Sequence, residues 1–175
     1  LTMAHYYLAS TLPALRFTGE PPFSGDTLLF RCAGVLDGDE QHDVERVLQR
    51  HDGAPRTVVA RRWVELDLSF SAEIARVRAA RAGMEKPRTE GYTGIVEDPV
   101  ERAFAVENPA GREDALDLFR WNCAEDLARE APFGFPAVLA FAVQLGILER
   151  RAAFDRDKGR ETVERLVAEK AQVQW

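Results

Sequence analysis

The chain is predicted to be all-α, an antiparallel helical bundle, on three observations. Apolar residues recur at spacings of three and four through several segments. No stretch alternates as a strand would, with the exception of residues His5 to Ser10, and there are no Asn-Gly hairpin signals. Proline and glycine fall between the periodic segments rather than inside them.

The elements follow in order. In "HYYLASTLPALRFTGEPPFS", Pro13, Pro21, Pro22 and Gly19 limit regular structure to short pieces. Ser24 is a good N-cap for a helix over Thr27 to Leu36, which Gly38 closes. Asp39 opens a second helix with Val44, Val47 and Leu48 on one face, stopping near Asp52-Gly53. From Arg56 to Gly83 there is no proline and no interior glycine. Val59, Trp63, Leu66, Phe70, Ile74 and Val77 make one helical face there, about 40 Å long at roughly 1.5 Å per residue if unbroken. "DLSFS" in its middle is weak helix material, so a kink or break near Ser69 is expected. Residues 84–98 read as a loop between two sub-bundles, 1–83 and 99–175, of a single helical domain.

Pro99 to Val106 then reads as a short helix. A longer one spans Arg112 to Glu130, with Leu116, Phe119, Cys123 and Leu127 inward, until Pro132 and Gly134 end it. Pro136 suits the first turn of the next helix, where a missing N–H costs little. That helix, "PAVLAFAVQLGILERRAA", carries about a dozen apolar residues before Glu149-Arg150-Arg151. A membrane span needs roughly 20, so it is read as a buried core helix, with "ERR" presenting charge outward. Asp155 or Asp157 starts a final helix with Val163, Leu166 and Val167 inward.

Hydrophobic residues make up 46% and charged residues 30%, which argues for a globular chain and against disorder. The net charge of −6 disfavours nucleic acid and acidic membranes as partners of the whole molecule. The basic residues are almost all arginine; the lysines are Lys86, Lys158 and Lys170. Cys32 and Cys123 lie far apart, in no metal-ligand spacing, and fit a reducing cytosol. "LTMAHYYLAS" has neither a basic n-region nor a long apolar h-region, so no signal peptide is expected, and Met3 is a plausible initiator.

Motifs for chemistry are sparse. His5, His42 and His51 form no i, i+4 ligand pair and read as surface histidines. "GYTG" lacks the Lys-Ser/Thr of a phosphate loop, no G-x-S-x-G occurs, and neither cysteine neighbours a histidine. No catalytic residue, cofactor site or metal site is therefore assigned. One charge cluster stands out. Between Arg56 and Arg88 lie eight basic residues against Glu65, Asp67, Glu73 and Glu85, a local +4. It reads as a solvated helix face or a protein contact rather than a phosphate grip. The partner-binding candidates are Arg76, Arg78 and Arg81 on this face, Trp121 off the apolar stripe of its helix, and Arg150 and Arg151 of "ERR". Trp63 lies on an apolar stripe and belongs to the core; Trp175 is terminal.

Several stretches taken together resemble a bacterial family without an assigned activity, encoded within operons for V-type (A/V-type) ATP synthase. They are "HYYLASTLPAL" followed by "PPFS", "WVELDLSFSAEIARVRAAR", "NPAGREDALDLFRWNCAEDL" and "FPAVLAFAVQLGILERRAAFDRDKG". Their order and spacing carry the resemblance, which is weakest over residues 36–56 and 84–98. That family is in turn similar to a shortened C (d-type) subunit of rotary ATPases, an all-helical socket between rotor stalk and membrane ring. The chain is much shorter than a full C subunit. The resemblance implies a non-catalytic accessory or stalk component of a V-type ATP synthase. It would be cytoplasmic and peripheral to the membrane through the complex, with ATP synthase subunits as partners and no direct membrane insertion. A transient assembly factor or regulator binding acidic partners is the alternative. An enzyme built from scattered carboxylates and arginines is a third reading, which a deep pocket with converging Glu and Arg would favour.

Overall fold

A computed structural model describes residues 3–49, 53–84 and 94–154. Among these described residues the backbone forms seven helices and no strand: α1 Met3–Thr11, α2 Gly25–Cys32, α3 Gly38–Gln49, α4 Val58–Arg81, α5 Glu97–Ala105, α6 Pro109–Glu130 and α7 Phe135–Ala153. The chain is all-α, as predicted.

Side chains at the helix starts explain most boundaries. The Ser24 hydroxyl accepts from the Thr27 amide at 3.3 Å and caps α2. Asp37 and Glu40 form a reciprocal capping box at α3. The Asp37 carboxylate accepts from the Asp39 and Glu40 amides at 3.0 and 2.9 Å, and Glu40 accepts from the Asp37 amide at 3.2 Å. Thr57 caps α4 through the Ala60 amide at 3.1 Å. Asn108 caps α6 through the Ala110 amide at 3.1 Å, with Pro109 in the first turn. α2 ends at Cys32, earlier than expected. The chain leaves it through Gly34 at φ 77°, a left-handed turn that glycine makes without strain, and Gly38 instead begins α3.

Two local expectations are corrected. Residues His5 to Ser10 lie in α1 and form no strand; only Leu8 of that helix is buried. The segment is too short for alternation to decide, and a His5–Glu40 contact of 2.8 Å ties the helix to α3. α4 runs unbroken through "DLSFS". Ser69 donates to the Glu65 carbonyl at 2.8 Å, and Asp67 and Ser71 are occupied by Arg120 of α6. The polar side chains that weaken helices by competing for the backbone are thus engaged without breaking the ladder. The expected final helix after Asp155, Trp175, and most of the 84–98 loop lie outside the described residues.

α7 is the central element. Ten of its nineteen residues are buried, and it packs on α6, α3, α1 and α2. One apolar cluster joins Leu8, Leu28, Val44, Leu139 and Leu145. A second joins Trp63, Trp121, Val143 and Ile147. A third, at the far end, joins Phe70, Ile74, Val100, Phe104 and Leu116. Packing therefore crosses the 84–98 loop: α7 covers α1–α3, and α4 packs on α5. Among the described residues no helix is long and apolar enough to cross a membrane.

One buried charge fixes how α4 enters this arrangement. Asp43 of α3 is fully buried and accepts from the Arg56 and Thr57 amides at 2.9 and 2.7 Å. Those are donors that the start of α4 cannot pair within the helix. Asp43→Asn keeps the shape but turns an amide donor towards one of these N–H groups. It is expected to cost about 1–3 kcal/mol, as a buried donor left unsatisfied does, read as a lower urea midpoint with unchanged slope. An unchanged midpoint would remove Asp43 as an anchor.

Candidate functional site

α4 and α6 run antiparallel and are bridged by side chains. Arg62 binds Glu130 with two hydrogen bonds of 2.8 and 2.7 Å. Arg120 Nε donates to Asp67 at 2.7 Å, and Arg78 reaches Glu113 at 3.2 Å. The signs alternate: α4 supplies Arg, Asp, Arg, and α6 supplies Glu, Arg, Glu. The hydrogen bonds from Arg62, with its charge, hold the Glu130 carboxyl below its usual range.

Beside the ladder lies a cleft of about 700 Å³, bounded by α3, α4, α6 and α7. Trp63, Val143, Gly146 and Ile147 contribute its apolar lining, and Asp67, Asp117, Arg120 and Arg150 contribute its polar walls. The wall charges are committed to one another. Arg120 engages Asp67, reaches Ser71 Oγ at 3.4 Å and lies over the Phe70 ring at 4.7 Å. Arg150 donates to Asp117, which is 7% exposed. Arg46, on the α3 side, differs. Its Nε donates to the Gly53 carbonyl, and among the described residues no carboxylate pairs with it. The arrangement suits recognition: an apolar floor and walls of fixed and neutralised charge.

The sequence-derived candidates fall in several places. Arg78 is exposed and forms a rung of the ladder. Arg81 is exposed at the end of α4. It donates to the Phe104 carbonyl and lies over the Phe104 ring at 5.0 Å. Arg76 is half-buried and grips Glu73 at 2.8 and 2.5 Å. That hydrogen bonding, aided by the charges of Glu73, Glu97 and Glu101, raises its guanidinium pKa further. A uniformly exposed basic face is therefore corrected: Arg62, Arg76 and Arg78 each have a carboxylate partner.

Trp121 is also relocated. It is 4% exposed, donates to Glu125 at 3.0 Å and meets Phe17 edge-on at 5.6 Å. The buried face of α6 runs through Leu116, Asp117, Trp121, Ala124 and Leu127. Charge at position 117 hid that register, because an ion-paired carboxylate occupies a place where an apolar residue would be expected. The "ERR" end of α7 points inward, against expectation. Glu149 accepts from the Gly25 amide at 2.8 Å, Arg150 pairs with Asp117, and Arg151 pairs with Asp114 at 2.6 Å and covers the Phe17 ring at 4.2 Å. Arg150 alone of these three lines the cleft.

Sequence reasoning missed Arg46, Asp67, Asp117, Arg120 and Gly146. A usable signal existed for two of them, Asp67 and Arg120, because the alternating charges of α4 and α6 match when the helices are set antiparallel. His5 and His42 contact Glu40 and the Ala54 carbonyl, at 2.8 and 3.3 Å; His51 lies outside the described residues. Among the described residues no group of His, Cys, Asp or Glu could hold a metal.

A family model matches part of this chain. Residues 98–171 are similar to the family described as "Protein of unknown function (DUF2764)". The match takes in nearly all of α5 and the whole of α6 and α7, and so the Arg120, Gly146 and Arg150 side of the cleft, while α3 and α4 lie outside it. No curated protein matches the chain, and no solved structure does.

Burial pushes both the Cys32 and Cys123 thiols up to about 11, so little reactive thiolate forms near neutrality. Neither thiol is expected to react at pH 8 with an Ellman-type reagent until the protein unfolds. The folded pKa exceeds the unfolded one, so the thiols' contribution to stability is complete below about pH 9. It is lost as pH rises from there towards about 11. A thiol reacting at the rate of a free cysteine in the native protein would contradict this.

Proposed function

We propose that the protein is a non-catalytic accessory or stalk component of a bacterial V-type ATP synthase, acting on the cytoplasmic side through protein contacts. The resemblance over most of the chain supplies the complex. The observation that carries the rest is the state of the cleft walls: Asp67, Asp117 and Glu113 each already hold an arginine. Paired charges beside an apolar floor recognise a shaped surface. A general acid or base needs a group placed to exchange a proton with substrate.

The same cleft supports a second reading. Acids and arginines do gather on a concave surface, which is what a site assembled from scattered carboxylates requires. Its acids are used structurally, so the coupling or assembly role fits better. Nucleic acid remains outside the proposal, because most of the basic cluster on α4 is offset by carboxylates.

Purification of the ATPase from cells carrying this chain with an affinity tag tests the proposal. Stalk subunits are expected to co-purify. A constant ratio in the intact complex marks a stable component, and presence only in partial complexes marks an assembly factor. Absence from both would remove the proposal. Reversal of Arg76 is a poor probe, because it would set a glutamate beside Glu73 and near Glu97 and Glu101. Arg78→Gln is cleaner. It loses only an exposed pair, worth about 0–1 kcal/mol, and is expected to leave the fold intact.

A further inference from the structure

α1 stands apart from the other described helices. It is the one among them with no Asp, Glu, Lys or Arg, in a chain of which 30% is charged. Its His5 is turned to Glu40 of α3 at 2.8 Å, and Leu8 is the residue it buries. Met3, Tyr6 and Tyr7, at i, i+3 and i+4, share the outer face and are 89%, 51% and 67% exposed. Exposed Ser10 extends that face by one turn. The face continues beyond the helix. Tyr6 meets Phe133 of the α6–α7 loop at 4.9 Å between ring centroids, and Phe133 is itself 46% exposed beside exposed Pro132. The carboxylates nearest in sequence or contact are engaged, Glu40 by His5 and Glu130 by Arg62. At roughly 200 Å² for each large side chain when fully exposed, Met3, Tyr6, Tyr7 and Phe133 leave about 500 Å² of uncharged surface in water, towards the upper end of what a lone soluble chain shows.

We infer that this face is a homodimer interface, in which α1 of one copy packs antiparallel on α1 of a second copy. The inference stands apart from the ATP synthase reading. Area, symmetry and charge select the occupant. Covering the face on both copies removes about 1,000 Å² from water, the smallest area of a specific association, and so a weak and concentration-dependent one. A two-fold pairing sets one surface against itself: Tyr6 of one copy meets Tyr7 of the second, and Met3 meets Ser10. Copies of a molecule of charge −6 repel one another. Self-association therefore requires a surface where like charges are not opposed, and α1 supplies one. A lipid surface suits this face less, because helices that lie on membranes carry Lys and Arg on their polar side and α1 has neither. Residues 155–175 of the same chain also suit it less. They follow Phe154, at the other end of α7 from Phe133, about 28 Å away at roughly 1.5 Å per residue, and they carry five acidic and five basic residues.

Sedimentation equilibrium of the purified full chain tests the interface. Wild type is expected to pass from monomer to dimer mass as concentration rises through the micromolar range. Tyr7→Glu brings a carboxylate from each copy to the two-fold axis and is expected to weaken association at least about tenfold. Its circular dichroism spectrum and melting temperature are expected to stay as in wild type, because Tyr7 is exposed. Phe154→Glu, an exposed position at the opposite end of α7, is expected to dimerise as wild type does. Photoreactive benzoylphenylalanine in place of Tyr7 is expected to link two copies through α1. A wild type that stays monomeric throughout overturns the inference, and so does a Tyr7→Glu chain that dimerises normally or a dimer that Phe154→Glu dissociates. A crosslink from position 7 to residues 155–175 of the same chain overturns it in favour of an internal contact. Flotation of the monomer with neutral phosphatidylcholine vesicles, abolished by Tyr7→Glu, overturns it in favour of lipid.

Discussion

Burial of α7 is the constraint on which the rest of the structure depends. Its residues from Phe135 to Leu148 are apolar apart from Gln144, and most are fully enclosed. A helix that is apolar around most of its circumference must be covered on several sides at once. α6 covers one side, and α1, α2 and α3 cover others. The polar end of the helix then fixes its depth and rotation. Glu149 takes an unpaired amide at the start of α2, while Arg150 and Arg151 take carboxylates from α6. A rotation of α7 that exposed its apolar face would break all three of these contacts together. The apolar run supplies the driving force, and the charged end selects one seating among those the run would permit.

The ion-pair ladder between α4 and α6 answers a different requirement. Exposed pairs contribute little net stability, so the Arg62–Glu130 and Arg78–Glu113 rungs do little to hold the helices together. The energetic work is done by the cluster that holds Trp63 and Trp121 and by Phe70 stacked on Phe119 at 4.5 Å near another. What the rungs determine is register and spacing, because the alternating signs match in one antiparallel alignment. The more buried Arg150–Asp117 pair has the same character. Such pairs add little net stability over apolar packing, yet removing one partner leaves a costly unpaired charge. A cleft walled by these pairs keeps its shape, which matters more for recognition than for stability.

Much of this fold was legible in the sequence. Ser24 and Pro136 mark helix starts by local chemistry that tertiary contacts do not alter, while the Asn108-Pro109 start of α6 went unread and the helix was placed from Arg112. The long stripe from Val59 to Val77 is a pattern that a helix expresses directly. The apolar run before Glu149 is too short for a membrane and too apolar for a surface. Legibility failed where a polar residue faces inward. Asp117, Arg150 and Glu149 read as surface positions because hydropathy cannot register a partner on another helix. Trp121 was misplaced because its neighbours on the buried face include such a charge. The Arg76 environment required knowing that α5 would bring Glu97 and Glu101 alongside. The cleft was invisible for the same reason, since its walls come from four helices and its floor includes a glycine with no side chain to read.

These failures share one cause with the functional reading. Residues whose polarity or size conflicts with their position in a helix are where intramolecular packing alone does not account for the sequence. For Asp117, Arg150 and Glu149 the conflict is resolved inside the chain, by partners the fold brings within hydrogen-bond distance. For Gly146 it is not: among the described residues no atom occupies the place of the missing Cβ. Gly146 and Arg46 border the same concavity, and one lies within the stretch similar to the uncharacterised family while the other lies outside it. These two positions meet only once α3 and α7 are packed together. The cleft is therefore a feature of the assembled fold rather than of either segment.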